Sequence, residues 1–421
     1  MDFSRKYDVV VAGAGIAGCA AALAAARRGC SVALIEKQTL IGGLATSGLI
    51  FVYLPLCDGY GHQVTFGLAE ELLKRSLKYS PYDLPQEWGG RGGRDTARGK
   101  RYECYFSPAG FILALDEALT EAGVDLWLET AVCQVNSNAD GKVVSVEVEN
   151  ISGHGLIAAG CFVDASGSAH IVRRAGGKVS TAENTPSVWF IQNSPDENRF
   201  YNIQDTVHIK TLHEKENRLM PGDSLRGKCV TAFTRRCWSQ IREYYDQSYA
   251  SGKNRFQHFP IQLPGMNEFR KIASADGMEK LADTDFGRFR ESSIGLAGDW
   301  RRPGPVWETP FGALVPEKTG GVFTAGRCIG AAGLAWEIFR VIPACAMTGE
   351  AAGIAAALCS SSGVDTRELK ASAVQNELRK NKIPLHLDEI PGAGNSQDAR
   401  PMDINEGIAG EDAGFGSGEK R

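Results

Sequence analysis

The sequence predicts an α/β fold in which a parallel sheet with an attached antiparallel β-meander forms one domain and a discontinuous α+β region forms a second. Two observations carry this prediction. A strand, a glycine turn, a helix and a second strand follow one another near the start of the chain, and a small-residue helix follows another buried strand near residue 350. The length of 421 residues exceeds one ordinary hydrophobic core, so two intertwined domains are expected.

The first unit occupies residues 7–37. Residues 8–12 are apolar and rich in valine, which is typical of a buried parallel strand. The turn at 13–18 has the pattern G-x-G-x-x-G, the alanine-rich segment 16–28 predicts a helix, and residues 31–35 predict the next strand. This order predicts a Rossmann-type unit.

Each part of the unit has a structural role in binding a dinucleotide. Gly13 permits the tight turn, Gly15 lets a pyrophosphate approach the backbone, and Gly18 lets helix and strand pack closely. The helix N-terminus offers free N–H groups and a positive dipole end to phosphates. Glu36, at the end of the second strand, can accept hydrogen bonds from both ribose hydroxyls and repels a 2′-phosphate. The unit therefore predicts a bound dinucleotide with a free ribose.

Three further motifs resemble those of known flavoproteins. Residues 36–43, E-K-x(4)-G-G, resemble the glutathione-reductase-like class of FAD flavoproteins, and residues 164–167, D-A-S-G, resemble the D-A-T/S-G element of that class. Residues 310–359, with A-G-R at 325–327 and a small-residue helix, resemble the FAD-dependent oxidoreductase family related to fumarate-reductase-type flavoproteins. The resemblance implies FAD as the cofactor.

The resemblance also implies the residues that hold FAD. Val132 is expected to offer its backbone to the adenine, and the helix at 343–358 is expected to point its positive end at the N1/C2=O edge of the flavin. Phe339 departs from the family pattern, which has a small residue before Arg340. The expected FAD-binding residues are Gly13, Gly15, Ile16, Ala17, Gly18, Glu36, Lys37, Gly42, Gly43, Leu44, Ala45, Thr46, Val132, Ala165, Ser166, Gly167, Gly326, Arg327, Arg340, Met347 and Gly349.

The remaining patterns complete the predicted elements and domains. Helices are expected at 65–79, 107–122, 241–250, 343–358 and 370–382, and strands at 124–128, 130–135, 143–148, 160–163 and 322–325. The FAD-binding domain is expected to comprise residues 1–48, 106–176 and 310–365, and the substrate or cap domain residues 49–105 and 177–309. Residues 385–421 are rich in small and polar residues and are expected to be a disordered tail.

Residues 49–105 contain aromatic side chains with interleaved arginines. This pattern favours a small, partly anionic or polyhydroxylated ligand. The candidates for proton transfer are His62, Tyr102, Tyr105 and Glu337, and those for anion binding are Arg94, Arg101 and Arg340. Composition does not choose among them.

The motifs predict an FAD-dependent oxidoreductase that exchanges a hydride between flavin N5 and a small organic metabolite, such as an alcohol, a sugar or an unsaturated acid. No second G-x-G-x-x-G follows a strand and no C-x-x-C occurs. A separate electron donor or acceptor is therefore expected, without an NAD(P)H domain in the chain. Two alternatives stay open: a flavin-dependent RNA-modifying enzyme, and a non-catalytic flavin-binding sensor.

Charge and cysteine content restrict the partners. The net charge of −4, from 46 basic and 50 acidic side chains, argues against a nucleic-acid partner. The eleven cysteines have no metal-ligand spacing, so no metal site is expected, and reduced thiols favour the cytoplasm.

The first residues lack the apolar core of a signal peptide, and the apolar segments are too short or too rich in Ala and Gly to span a bilayer. No membrane partner is expected.

Overall fold

A computed structural model of the chain describes residues 3, 5–84, 86–91, 102–195, 206–212 and 217–393. The strands are β1 (Lys6–Ala12), β2 (Val32–Ile35), β3 (Val52–Tyr53), β4 (Cys104–Tyr105), β5 (Asp125–Trp127), β6 (Ala131–Ser137), β7 (Val143–Asn150), β8 (Gly153–Asp164), β9 (Val179–Ser180), β10 (Val188–Asn193), β11 (Val207–Leu212), β12 (Phe259–Gln262), β13 (Ser274–Ala275), β14 (Ser293–Gly298), β15 (Val306–Pro310) and β16 (Val322–Thr324). The helices are α1 (Ile16–Ala26), α2 (Leu68–Ser76), α3 (Pro108–Glu121), α4 (His170–Arg174), α5 (Gly227–Ala250), α6 (Gly333–Phe339), α7 (Ile342–Ser362) and α8 (Ala371–Lys380).

The central sheet has seven strands. Its path runs β5-β2-β1-β8-β7-β6, and β16 pairs with β8 beyond the end of β7. Strands β5, β2, β1, β8 and β16 are parallel, which places their carboxyl ends on one edge. Val11 pairs with Leu34 on one side and with Val163 on the other, and all three side chains are fully buried. The α/β fold class with a parallel sheet and a β-meander is confirmed.

The meander differs from the prediction in its members. Residues 124–128 contain β5, which pairs in parallel with β2, so the antiparallel part consists of β6, β7 and the first half of β8. The expected strand at 160–163 is only the end of β8. Residues 153–158 of β8 pair with β7, and residues 162–164 pair with β16. One strand therefore joins the meander to the parallel sheet.

Helices α1 and α7 pack closely against each other in the main hydrophobic core. A Cβ atom at Gly349 would lie 2.2 Å from the carbonyl oxygen of Ala17, and one at Gly353 would lie 2.2 Å from that of Ala21. Glycines four residues apart thus let the two backbones approach. Helix α7 is long and apolar enough to cross a membrane, but 89% of its most apolar window is buried inside the protein. It is a core helix.

The cap region has a core of its own. The antiparallel sheet β11-β10-β12 packs against α5 through Val188, Phe190, Phe233, Ile241 and Tyr245. Only the second half of α5 was expected, because its first half carries a polar and basic pattern with few apolar side chains. That half is stabilised by packing against the sheet.

Two other regions differ from their expected assignment. Helix α2 and strands β3 and β4, expected in the cap, share the main core with α1 and α7; Leu72 and Phe51 belong to this cluster. Residues 385–393, expected as the start of a disordered tail, are packed: Leu385 is fully buried, and its carbonyl accepts a hydrogen bond from Ser293 Oγ at 2.6 Å. Residues 394–421 lie outside the described part of the chain.

Candidate functional site

A cleft lies at the carboxyl ends of β1, β2 and β8. Most of the residues expected to bind the cofactor line it. These are Gly13, Gly15, Ile16, Ala17, Glu36, Lys37, Gly42, Gly43, Leu44, Ala45, Val132, Ala165, Ser166, Gly167, Arg327 and Arg340. The fold therefore brings together segments separated by more than three hundred residues.

The glycine turn forms one wall of the cleft. Gly13 has φ +96°, and a Cβ atom there would lie 2.8 Å from the carbonyl oxygen of Ala165, so only glycine fits. A Cβ atom at Gly15 would meet nothing within 4 Å. The space above Gly15 adjoins the N-terminus of α1, where free N–H groups favour phosphate. The turn fits the pyrophosphate of a dinucleotide.

Glu36 places a negative charge at the end of β2. Its Oε2 accepts a hydrogen bond from the Ala14 N–H at 2.8 Å, and its Oε1 accepts one from the Gln38 N–H at 3.0 Å. The residue is 9% exposed. Each carboxylate oxygen keeps a second lone pair, which fits the expected contact with ribose hydroxyls.

The opposite end of the cleft is formed by the N-terminus of α7. Ile342 and Cys345, from its first turn and just after it, line the cleft beside Arg327. Arg327 donates a hydrogen bond to the Phe269 carbonyl, and burial lowers the pKa of its guanidinium. Burial also raises the pKa of the Cys345 thiol to about 11, although Arg327 and Arg340 oppose this. Cys345 is therefore a protonated thiol at neutral pH.

Arg340 is held by a buried ion-pair network. Glu337 accepts a hydrogen bond from Arg340 Nε and lies 2.7 Å from Lys271 Nζ. The Arg340 guanidinium lies 5.7 Å from the ring centre of Trp300, whose indole N–H donates to the Glu337 carbonyl at 3.1 Å. Burial alone raises the pKa of Glu337, but Arg340 and Lys271 outweigh it and lower the pKa to about 2. Glu337 positions Arg340, and it is ionised at neutral pH.

This geometry corrects the expected proton-transfer groups. Glu337 does not line the cleft and holds no proton to donate. His62 pairs with Asp58 at 2.8 Å, and Tyr102 bonds to Glu70 at 3.4 Å with its pKa raised by burial.

Tyr105 packs edge-on against Tyr82 at 6.0 Å between ring centres. The lining of the cleft does not include His62, Tyr102 or Tyr105, because strands β3 and β4 turn this segment toward α2. Arg94 and Arg101 lie outside the described residues.

Five residues expected at the cofactor support the cleft without lining it: Gly18, Thr46, Gly326, Met347 and Gly349. A Cβ atom at Gly18 would lie 1.8 Å from the Gly13 carbonyl oxygen. Gly18 therefore permits the helix–strand packing that the fingerprint requires.

Other lining residues were missed by sequence reasoning, among them Gln38, Thr130, Ser168, His170, Met266, Ile342 and Cys345. His170 Nε2 lies 2.8 Å from the Val132 carbonyl oxygen, so that carbonyl already has one partner. Burial lowers the pKa of His170. His170 follows the D-A-S-G motif directly, which is a usable signal, whereas Met266 comes from the cap and has no local signal.

The cap segment that carries Met266 is tied to the nucleotide-binding side of the cleft. The Gly265 N–H donates to the Ser47 carbonyl at 2.7 Å, and Gln38 Nε2 donates to the Gly265 carbonyl at 3.2 Å. Met266 is thereby held over the cleft.

The sequence profile of the FAD-dependent oxidoreductase family matches residues 8–279 and 283–378. The chain belongs to this family. FAD is the cofactor of this FAD-dependent oxidoreductase, and the glycine turn, Glu36 and the α7 N-terminus form a cleft that fits it.

Individual relatives match over shorter stretches. The chain is 48% identical over 60 residues to the tRNA uridine 5-carboxymethylaminomethyl modification enzyme MnmG of Geobacter sulfurreducens, a match covering 12% of this chain and 10% of that enzyme. It is 30% identical over 170 residues to the vinyl phenol reductase of Lactiplantibacillus plantarum, covering 34% of each chain. The chain thus spans no more than about a third of the length of these relatives.

A solved structure also matches over most of the chain. The geranylgeranyl bacteriochlorophyll reductase-like protein of Thermoplasma acidophilum superposes with a TM-score of 0.46 at 14% identity. The match covers 90% of this chain and 84% of that one.

Proposed function

We propose that this FAD-dependent oxidoreductase exchanges a hydride between a small organic metabolite and the flavin. A separate electron donor or acceptor would complete the cycle, because the sequence carries no second G-x-G-x-x-G after a strand for an NAD(P)H domain of its own. Bound FAD supplies the hydride-accepting or hydride-donating N5 position, while the protein supplies position, electrostatics and exclusion of water.

One observation carries this proposal: the described part of the cap contributes to the lining of the cleft and shows no second dinucleotide-binding unit. In the described part of the cap, every sheet is antiparallel, formed by β9 with β13, by β10 with β11 and β12, and by β14 with β15. A dinucleotide domain uses a parallel sheet with a glycine turn. The cap instead contributes Met266 to the lining of the cleft.

Arg340 is the residue best placed to orient an anionic substrate. It lines the cleft, and Glu337 and Trp300 fix its direction. Glu337 is shared with Lys271, so two cations contact one carboxylate. A fixed, always-charged guanidinium suits a carboxylate that must be held in one orientation. The unsaturated acids among the candidate substrates carry such a group.

The experiment is anaerobic reduction of the purified, FAD-loaded protein by a panel of alcohols and sugars, and reoxidation of the dithionite-reduced protein by unsaturated acids, followed by flavin absorbance. We expect at least one member to bleach or restore the flavin. For an acidic member, Arg340→Met should raise the concentration needed for half-maximal rate by about tenfold to a hundredfold, which is the loss of one charged hydrogen bond. Arg367→Met, which removes a surface partner of Asp365, is the matched control and should change nothing.

A yellow protein that no member of the panel reduces or reoxidises would contradict the proposal and favour the non-catalytic sensor. The RNA-modifying alternative has one observation in its favour, the short match to the tRNA modification enzyme. Its test is salt-sensitive binding of tRNA to the holoprotein.

A further inference from the structure

The outer side of the cap exposes a mixed apolar and basic surface. We call it the α5–β12 face and define it by Arg235, Trp238, Arg242, Phe256, Ile261 and Leu263. Trp238 and Arg242 on α5 line a groove together with Ile261 and Leu263 beside them. Arg235 lies one helical turn before Trp238 and two turns before Arg242, hence on the same side of the helix. Phe256 lies in the segment that joins α5 to β12.

The apolar members of the face are unusually open to solvent. Phe256 is 74% exposed, Ile261 50%, Trp238 47% and Leu263 40%. Single exposed apolar residues are common, whereas a contiguous group such as Trp238, Ile261 and Leu263, which line one groove, marks an interaction surface. Strand β12 is also an edge strand of its sheet.

Charge on this face is opposite to that of the whole protein. Residues 227–263 contain six basic and two acidic residues, a net charge of +4, in a chain of net charge −4. The acids are Glu243 and Asp246, both on α5, and Asp246 lines the groove beside Arg242. In the described part of the chain, no carboxylate lies within ion-pair distance of Arg235, Arg242 or Arg255. Arg255 instead lies 4.6 Å from the centre of the Phe256 ring.

We propose that the α5–β12 face docks reversibly on an anionic phospholipid surface. Exposed Trp and Phe side chains enter the interfacial layer of a bilayer, and neighbouring arginines bind the anionic headgroups. Ile261 and Leu263 favour lipid over nucleic acid, because aliphatic side chains gain nothing from phosphate or from stacked bases. The proposal replaces the expectation that no membrane takes part, and it does not depend on the proposed reaction.

The docked face adjoins the FAD-binding cleft. Leu263 lines the groove and Met266, three residues later, lines the cleft. The intervening segment is anchored to the nucleotide-binding side by the Gly265 N–H and the Ser47 carbonyl. Docking would therefore bring the segment that carries Met266 close to the lipid surface.

The test is co-sedimentation of the full-length holoprotein with vesicles of phosphatidylcholine alone and of phosphatidylcholine containing phosphatidylglycerol. We expect binding to the anionic vesicles only, weakened by salt. The triple variant Arg235→Gln/Arg242→Gln/Arg255→Gln should lower the partition coefficient by about fivefold per charge. The matched control Lys178→Gln/Lys318→Gln/Lys370→Gln removes three exposed charges elsewhere and should bind as the parent does.

A second pair of variants tests the apolar contribution. Phe256→Ser/Ile261→Thr should weaken binding by about tenfold or more, whereas Ile151→Ser, at a site 99% exposed on another face, should not. Failure to bind anionic vesicles, or equal loss in the control variants, overturns the proposal. Binding that survives Phe256→Ser/Ile261→Thr and is displaced by tRNA or by an acidic protein also overturns it, because the face is then a general polyanion surface. All variants must retain the FAD content of the parent, which shows that they fold.

Discussion

The α-carbon of Gly349 faces the carbonyl oxygen of Ala17 so closely that a methyl group on it would lie 2.2 Å from that oxygen. Gly349 is on α7 and Ala17 on α1, the helix that follows the glycine turn. The contact links the small-residue helix near residue 350 to the glycine-turn unit at the start of the chain, since Ala17 also lines the cleft.

Gly349→Ala should therefore disturb both stability and cofactor binding. A backbone carbonyl cannot move aside as a side chain can, so the helices must separate, at a cost of about 1–3 kcal/mol. We expect a lower free energy of unfolding in urea and a lower FAD content after purification. Gly227→Ala is the control, because a Cβ there meets nothing within 4 Å, and it should be neutral or stabilising by up to about 1 kcal/mol. Equal stability of the two variants would contradict the contact.

Glu36→Ala should weaken FAD binding by about tenfold to a hundredfold, the effect of losing one charged hydrogen bond. The change removes the expected acceptor for the ribose and leaves the Ala14 and Gln38 N–H groups without their carboxylate. Glu36→Gln, which keeps one acceptor oxygen, should lose less. The measurement is the FAD dissociation constant of the apoprotein, with Glu368→Ala at the surface as control. Unchanged affinity in Glu36→Ala would show that the ribose lies elsewhere.

Glu337 should make the protein less stable in acid. Its pKa is about 2 in the folded state, below the ordinary value of 4.5, so the contribution is present above pH 4.5 and is lost as the pH falls toward 2. The full effect is roughly 3 kcal/mol. Glu337→Gln removes the carboxylate that Arg340 and Lys271 share and should cost about 1.5–3 kcal/mol at pH 7. Urea unfolding across this pH range measures the acid sensitivity of the parent and the cost of Glu337→Gln. A Glu337→Gln variant as stable as the parent at pH 7 would contradict a stabilising role for the contacts of Glu337 with Arg340 and Lys271.

Glu350 should make the protein less stable as the pH rises, which is the opposite of the effect of Glu337. It is buried on α7, accepts a hydrogen bond from the Leu68 N–H at 2.7 Å, and burial raises its pKa to about 7. Because the folded state holds the proton more tightly, this contribution is complete below pH 4.5 and is lost as the pH rises through 7. Glu350→Gln keeps the hydrogen bond without the charge, so it should be more stable than the parent at pH 8 by up to roughly 3 kcal/mol. The difference in stability between Glu350→Gln and the parent should shrink at pH 5. A difference that is the same at pH 5 and pH 8 would contradict the raised pKa of Glu350.

The elements with strong local patterns were predicted well. The order strand, glycine turn, helix, strand and acid at residues 7–37 agrees with β1, α1, β2 and Glu36, because buried valines and Gly13 restrict the backbone locally. Helix α3 begins at Pro108 behind the capping side chain of Ser107, and both features are visible in the sequence.

The missed helices depend on distant contacts. Helix α6 lies in a segment expected to be a loop, and its first N–H groups, at Leu334 and Ala335, are bonded by the Asp283 carboxylate. The first half of α5 packs against a sheet whose strands are far away in the sequence. Neither partner can be identified from the local pattern.

The sequence alone determined the fold class, a dinucleotide site and most of the cleft, because backbone conformation at glycine turns and buried strands follows from adjacent residues. The resemblance of its motifs to a flavoprotein family implied FAD. The tertiary structure alone decided which polar side chains face that cleft. It placed His62, Tyr102 and Tyr105 outside it, turned Glu337 into the support of Arg340, and brought Met266 across from the cap. The direction and ionisation of a side chain depend on neighbours that only chain folding brings within a few ångströms.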